Sequence, residues 1–191
     1  MPRSFVPFAV TVCGIEELPG HCDVGVSHVL SILDPDHPEL EAFGRYGEHE
    51  RLELRFHDII DPTEGMLLPQ REHVEAVLDL GRDLMAEPET CRHLLVHCHM
   101  GISRSTAALT MLLAQARPDR PAADAVAAVA AIREKTWPNL RMIELADALL
   151  GRDGELVAAV RERHRYVGLR RPEVVQFMRD NGRGREVADL P

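Results

Sequence analysis

Residues 93–106, HLLVHCHMGISRST, set three histidines and a cysteine against a glycine, an arginine and three hydroxyl side chains, behind a short apolar run. Two chemistries suit those residue types. One is a metal site built on imidazole and thiolate. The other is a cradle for a tetrahedral oxyanion with a nucleophilic thiolate at its base.

For the metal, Cys91, His93, His97 and His99 share parity on an extended chain, so one strand face could present them together. Cys98 has the opposite parity, however, and no second ligand cluster with zinc-like spacing occurs elsewhere. The histidines also run directly into Gly101 and Arg104, which a zinc site does not use. A third reading makes them ordinary histidines flanking a buried strand.

The anion reading accounts for more of the stretch. A strand over Leu94–Val96, a loop after Cys98 and a helix starting near Ser103–Ser105 would let the loop amides and the helix N-terminus converge on one anion. The cradle would then be His99, Met100, Gly101, Ile102, Ser103 and Arg104. Gly101 permits positive φ in mid-loop. Arg104, six residues beyond the cysteine, can return to grip two oxygens with its planar fork. Cys98 would lie beneath the phosphorus as attacker. A positive loop also favours the thiolate: a cysteine near pKa ~8.5 is only a few per cent ionised at neutral pH, and one at a helix N-terminus falls to roughly 3.5–7.5. Full ionisation therefore gives a few tens of times more nucleophile, whereas a preorganised donor on the transition state is worth on the order of 10² to 10³. Arg104 and the amides should dominate the rate.

Displacing an alkoxide or phenoxide also needs a proton donor opposite the thiolate. The stretch LRFHDIIDPTEG, residues 54–65, supplies Asp58, Asp61 and Glu64 just past a candidate strand. In parallel α/β folds such loops meet beyond the carboxyl ends of the strands. Asp61 precedes Pro62 and also reads as a turn former.

The rest of the chain reads as the frame for these residues. Phe8–Val12, Val24–Leu33 and the alternating Leu52, Leu54 and Phe56 predict three strands before Leu94–Val96. Helical spacing runs from Pro69 to Pro88, then over Ser105–Ala116, over an alanine-rich segment from Pro121, and over Asn139–Leu150, which closes on Gly151. The alternation predicts an α/β fold with a central, mostly parallel twisted sheet of about four to five strands flanked by helices. Residues 1–150 form the body. Residues 151–191 read as a helical C-terminal extension whose two amphipathic segments pack on the body or, alternatively, serve an oligomer or partner surface, with residues 181–191 expected to fray.

The chain has 191 residues and a net charge of −9. Residues 1–150 carry 13 basic against 24 acidic side chains, and residues 151–191 carry 9 against 7. So acidic a body repels nucleic acid and anionic membrane. The four cysteines form no CxxC pair, and no apolar run reaches the roughly 18 residues of a membrane span. The opening segment is too short and interrupted for a signal peptide, so the expected location is the cytoplasm.

VHCHMGISRST matches HCxxGxxR[ST], the signature of the cysteine-dependent protein tyrosine phosphatase superfamily, at every fixed place. Over roughly residues 8–150 the chain resembles its small dual-specificity branch, including a late helix opening on Pro138-Asn139. The resemblance implies a phosphatase-like catalytic domain over residues 1–150 that hydrolyses phosphotyrosine or mixed phosphoprotein substrates through a phosphocysteine, with no metal or cofactor. It assigns Cys98 as nucleophile, Arg104 as anion clamp, Asp58 as acid, Ser105 as the hydroxyl that assists departure of the cysteine, and His97 as a support for the loop. The loop interior lacks the basic residues of the phosphoinositide phosphatases that resemble this group. A phosphate-binding module without turnover is the alternative from another class.

Overall fold

The computed structural model describes residues 5–191. Four strands form one parallel sheet: β1 (Ala9–Cys13), β2 (His28–Leu33), β3 (Glu50–Arg55) and β4 (His93–His97). Their spatial order is β1-β4-β2-β3, so the last strand in sequence lies inside the sheet. Cys13 of β1 pairs in register with His97, and Ser31 of β2 faces His97 from the other side. The second strand is shorter than its apolar run suggests, because Gly25 takes a left-handed φ of 74° and turns the chain before His28.

Both faces of the sheet are buried. On one, Val12, Leu30, Ile32, Leu54 and Val96 pack under five helices: α1 (Arg71–Ala86), α2 (Arg104–Ala116), α3 (Ala122–Ile132), α4 (Leu140–Leu150) and α5 (Glu155–Arg170). Helix α1 turns Val74, Val77, Leu78, Gly81 and Leu84 inward, a spacing that puts one stripe on the core. The opposite face, with Cys13, Val29 and Leu95, is covered by Leu18, Phe43 and Tyr46 from two 3₁₀ turns.

Helix α2 is buried from Arg104 through Ala114. It carries the arginine of the candidate cradle at its first residue. Helix α4 is capped by Asn139, whose Oδ1 accepts from the Met142 amide at 3.1 Å, and it ends at Gly151 in the left-handed region.

The C-terminal residues 151–191 are built into the body. Asp147 of α4 accepts hydrogen bonds from the amides of Gly154, Leu156 and Val157, so a carboxylate meets the N-terminus of α5. Helix α6 (Pro172–Asp180) starts on a proline at its first position. The closing residues, expected to fray, instead form a 3₁₀ turn over Gly184–Val187 with Glu186 and Val187 buried. Val175, Met178, Val187 and Leu190 cluster there around Trp137, and Ile102 of the loop after β4 packs against them. That contact joins the tail to the site.

Candidate active site

Loops from the carboxyl ends of all four strands converge. Gly14 follows β1, Asp34 follows β2, Phe56 and Asp58 follow β3, and the loop from Cys98 to Ser103 joins β4 to α2. Cys98 is 3 % exposed, and its Sγ lies 3.2 Å from the Ser105 Oγ.

The carbonyls of residues 99–103 are each engaged by a donor from a neighbouring segment. His99 O accepts from the Ile15 amide at 3.0 Å, Met100 O and Gly101 O accept from the Arg133 guanidinium, and Ile102 O accepts from the Trp137 amide at 2.9 Å. Ser103 O takes the amides of Ala107 and Asn139. Among the described residues no protein acceptor takes the amides of residues 99–103. A chain whose carbonyls are held outward turns its amides the other way, and here they join the free amides at the start of α2. Arg133 is itself fixed by a two-pronged pair with Glu17 at 2.7 and 2.8 Å. That pair is a brace which the spacing of the motif does not reveal.

Gly101 has φ 67°, and a Cβ there would stand 2.5 Å from the Cys13 carbonyl carbon and 2.8 Å from the Gly14 amide nitrogen. Gly14 answers it, since a Cβ on Gly14 would lie 2.8 Å from His99 O. Two glycines thus let β1 and the loop touch backbone to backbone.

Arg104 is 3 % exposed, and its Nη1 donates to Asp34 Oδ1 at 2.6 Å and to Phe56 O at 2.5 Å. Its Nε is buried and has no hydrogen-bond partner among the described residues. One corner of the fork is therefore anchored, leaving the Nε edge to meet a bidentate anion. Asp34, followed by Pro35, has the local pattern of a turn residue, and its role as this anchor appears only in the fold. Asp34 also receives His99: its amide donates to His99 Nε2 at 3.2 Å. Burial first, then the nearby Arg104 charge, lowers the His99 pKa below the ordinary imidazole value. His97 is fully buried against Phe43, and burial pushes its imidazole down to about 4, which leaves it neutral.

Asp58 comes to the loop and Asp61 does not. Asp58 Oδ1 accepts from Ser103 Oγ at 2.7 Å and from Asn139 Nδ2 at 2.8 Å, while Oδ2 lies 3.1 Å from Nη1 of Arg183. Burial alone would raise its carboxyl, but the Arg183 and Arg104 charges and the two hydrogen bonds outweigh it and hold the group below the usual carboxylate range. Arg183 is buried and also forks onto Glu186, which accepts from Trp137 Nε1 and the Leu140 amide. Asp61 pairs instead with Arg185, which also holds Glu144, and Glu64 is exposed. Arg183 sits in a segment with no apolar period, so local patterning carries no sign of it.

The candidate metal ligands diverge. His93 Nε2 meets Thr11 Oγ1 at 2.8 Å, His97 packs on Phe43, His99 turns to Asp34 and Cys91 is buried before β4. Among the described residues no group of three or more histidine, cysteine, aspartate or glutamate side chains is arranged to hold a metal ion. No described helix is long and apolar enough to cross a membrane.

A parallel sheet with this loop at the end of an inner strand is the fold of the tyrosine and dual-specificity phosphatases. Solved structures bear this out. Tk-PTP in the active form is 20 % identical, with a TM-score of 0.55 over 80 % of this chain and 99 % of that one. The human tyrosine phosphatase-like serine/threonine/tyrosine-interacting protein is 17 % identical, with a TM-score of 0.56 over 76 % and 93 %. DUSP15 is 18 % identical, with a TM-score of 0.53 over 84 % and 94 %. No family model and no curated protein sequence matches the chain.

Proposed function

We propose that the protein is a phosphomonoester hydrolase acting on phosphorylated protein through a phosphocysteine. The reading rests on one observation: a loop whose carbonyls are braced outward surrounds a buried cysteine, beside an arginine with one anchored corner. The Cys98 thiolate attacks phosphorus, the P–O bond to the leaving group breaks, and that oxygen takes a proton from Asp58. Water then attacks the phosphocysteine, Asp58 takes a proton from it, and the sulfur leaves with Ser105 Oγ as its nearest hydroxyl partner. His99 to Arg104 hold the phosphoryl oxygens through both steps. The chemistry calls on no metal or cofactor.

The state of Asp58 favours a second reading. With three donors on its two oxygens it is stabilised as an anion, which suits a structural staple on Ser103 and a module that binds phosphate without turnover. Hydrolysis of p-nitrophenyl phosphate in the presence of a chelator separates these readings, because p-nitrophenolate leaves without a proton. The phosphatase reading expects turnover, competitive inhibition by vanadate, and loss of turnover with retained vanadate binding in Cys98→Ser. Vanadate binding with no turnover in the unmodified protein would establish the binding module. Turnover undiminished in Cys98→Ser would remove the mechanism.

A further inference from the structure

Beside the catalytic loop, α5 and α6 and the segment from Glu134 to Trp137 enclose an open groove of about 590 Å³. The volume falls within the roughly 300–1,000 Å³ of ligand sites. Ile102 lines the groove with its side chain while its carbonyl is held by the Trp137 amide, so the wall of the catalytic loop is also the wall of the groove. The body contributes that wall. The body also contributes Ala130 and the segment from Glu134 to Trp137, and α5 and α6 of the C-terminal extension contribute the remaining lining.

The groove is apolar inside and positive at its edge. Tyr166 and Phe177 stand in its walls at 47 % and 59 % exposed, and Met100 of the neighbouring loop is 67 % exposed. Large apolar side chains grouped in this way mark a site for a partner or ligand. Arg170 lies over the Tyr166 ring at 3.6 Å and Arg163 approaches it at 5.4 Å. Among the described residues neither arginine has an ion-pair partner. Arg163 spends its donors on Thr136 Oγ1 and Glu134 O, and Arg170 donates to Tyr166 O. Lys135, the sole lysine, is on the same edge. The remaining charged groups are Glu134 and Arg171, and Arg171 is paired with Glu173. In a chain of net charge −9 most arginines find carboxylates. Cations left unpaired around an aromatic wall next to a phosphate cradle are arranged for an anion attached to something apolar.

We infer that this groove binds the polypeptide flanking the phosphorylated residue, seating an apolar side chain between Tyr166 and Phe177 and an acidic one against Arg170 and Lys135. The inference rests on the phosphatase reading and names the substrate class for that same site. A peptide suits the groove better than a lipid surface because the positive charge is confined to one edge, while the body around it is acidic and repels an anionic bilayer. The cradle is mostly backbone and accepts any phosphomonoester, so selection falls to the groove.

The test uses the full chain, the Phe177→Ala variant and the Lys135→Glu/Arg170→Glu double variant, all substituted at exposed positions. Three substrates are compared: p-nitrophenyl phosphate, a phosphotyrosine peptide with Glu and Leu on both flanks, and the same peptide with Ser and Gly there. The expected result is a kcat/KM at least ~10-fold higher for the Glu–Leu peptide, lost through KM in both variants. Hydrolysis of p-nitrophenyl phosphate should stay within about 2-fold. Equal rates for the two peptides, or an equal loss on p-nitrophenyl phosphate, would overturn the inference. So would binding to phosphatidylglycerol vesicles that the Glu–Leu peptide displaces and both variants lose. If p-nitrophenyl phosphate is not hydrolysed at all, the phosphatase reading fails by itself. The groove is then judged by fluorescence anisotropy of the labelled Glu–Leu phosphopeptide, where a Kd unchanged by Phe177→Ala overturns it and a clear weakening upholds it.

Discussion

Arg183, eight residues before Pro191, lies 3.1 Å from Asp58, the carboxylate that also accepts from Ser103 of the candidate loop. The extension thus holds the proposed proton donor with a buried guanidinium. A group that must carry a proton is kept in an environment that favours its anion, so rates on poor leaving groups should climb as pH falls below neutral.

The pair can be tested without leaving a lone buried charge. The Arg183→Met/Glu186→Gln double variant removes both ends of the fork, so the Asp58 carboxyl rises and the alkaline limb of its pH–rate profile moves to higher pH. Asp58→Asn should lose on the order of 10² to 10⁴ in kcat on an alkyl phosphate and much less on p-nitrophenyl phosphate. A limb that stays in place, or an alkyl phosphate rate untouched by Asp58→Asn, assigns Asp58 to structure only.

In the proposed mechanism Asp34 positions Arg104 rather than touching the substrate. Asp34→Asn weakens the contact at Nη1, and kcat/KM should fall by roughly 10-fold as the fork loses its orientation. Arg104→Lys should cost on the order of 10² to 10³, because a point charge cannot bridge two oxygens. Steady-state kinetics with vanadate titration checks both; equal vanadate affinity in Asp34→Asn and the unmodified protein would detach Asp34 from the site.

Gly101→Ala sets a methyl against the β1 backbone at a left-handed residue, where neither chain can give way. The loop must open, so turnover and vanadate binding are both expected to vanish while circular dichroism keeps the helical signal. Full activity in Gly101→Ala would mean that β1 does not define the loop.

Acid sensitivity follows from two buried imidazoles. His97 is pushed down to about 4 and His164, stacked on Trp137 at 4.2 Å, to about 3, in both cases mainly by burial. Each stays neutral in the fold while the unfolded chain protonates near 6.5, so stability is full above that pH and falls as pH drops toward 4. The shift at His97 from 6.5 to about 4 corresponds to about 3 kcal/mol across that window. Urea unfolding at pH 7 and pH 4.5 measures it, and His97→Gln should flatten the slope. A pH-independent midpoint over that range would contradict the burial of either ring.

Much of the site is legible in residues 91–106. Cys98, Gly101, Arg104 and Ser105 are close in sequence, and a strand, a loop and a helix suffice to bring them together. Asp58 is legible one step further out, because a loop beyond the end of a parallel strand reaches the same edge. Arg133, Glu17 and Asp34 are not. Each acts on the loop from a distant segment, and a surface arginine or a turn aspartate carries no periodic signal. Arg183 is hidden most deeply, in a polar stretch whose composition points to fraying but whose Glu186 fork is buried against Trp137.

By itself the sequence determined the parallel α/β frame and the set of residues that make up the candidate loop, since both are written in local periodicity and in the fixed spacing of one motif. The tertiary structure decided which carboxylate reaches that loop, what braces its carbonyls, and that the C-terminal helices wall a groove beside it. Those are relations between segments as much as 125 residues apart, such as Arg185 on Ile60, and they exist only once the apolar faces have packed.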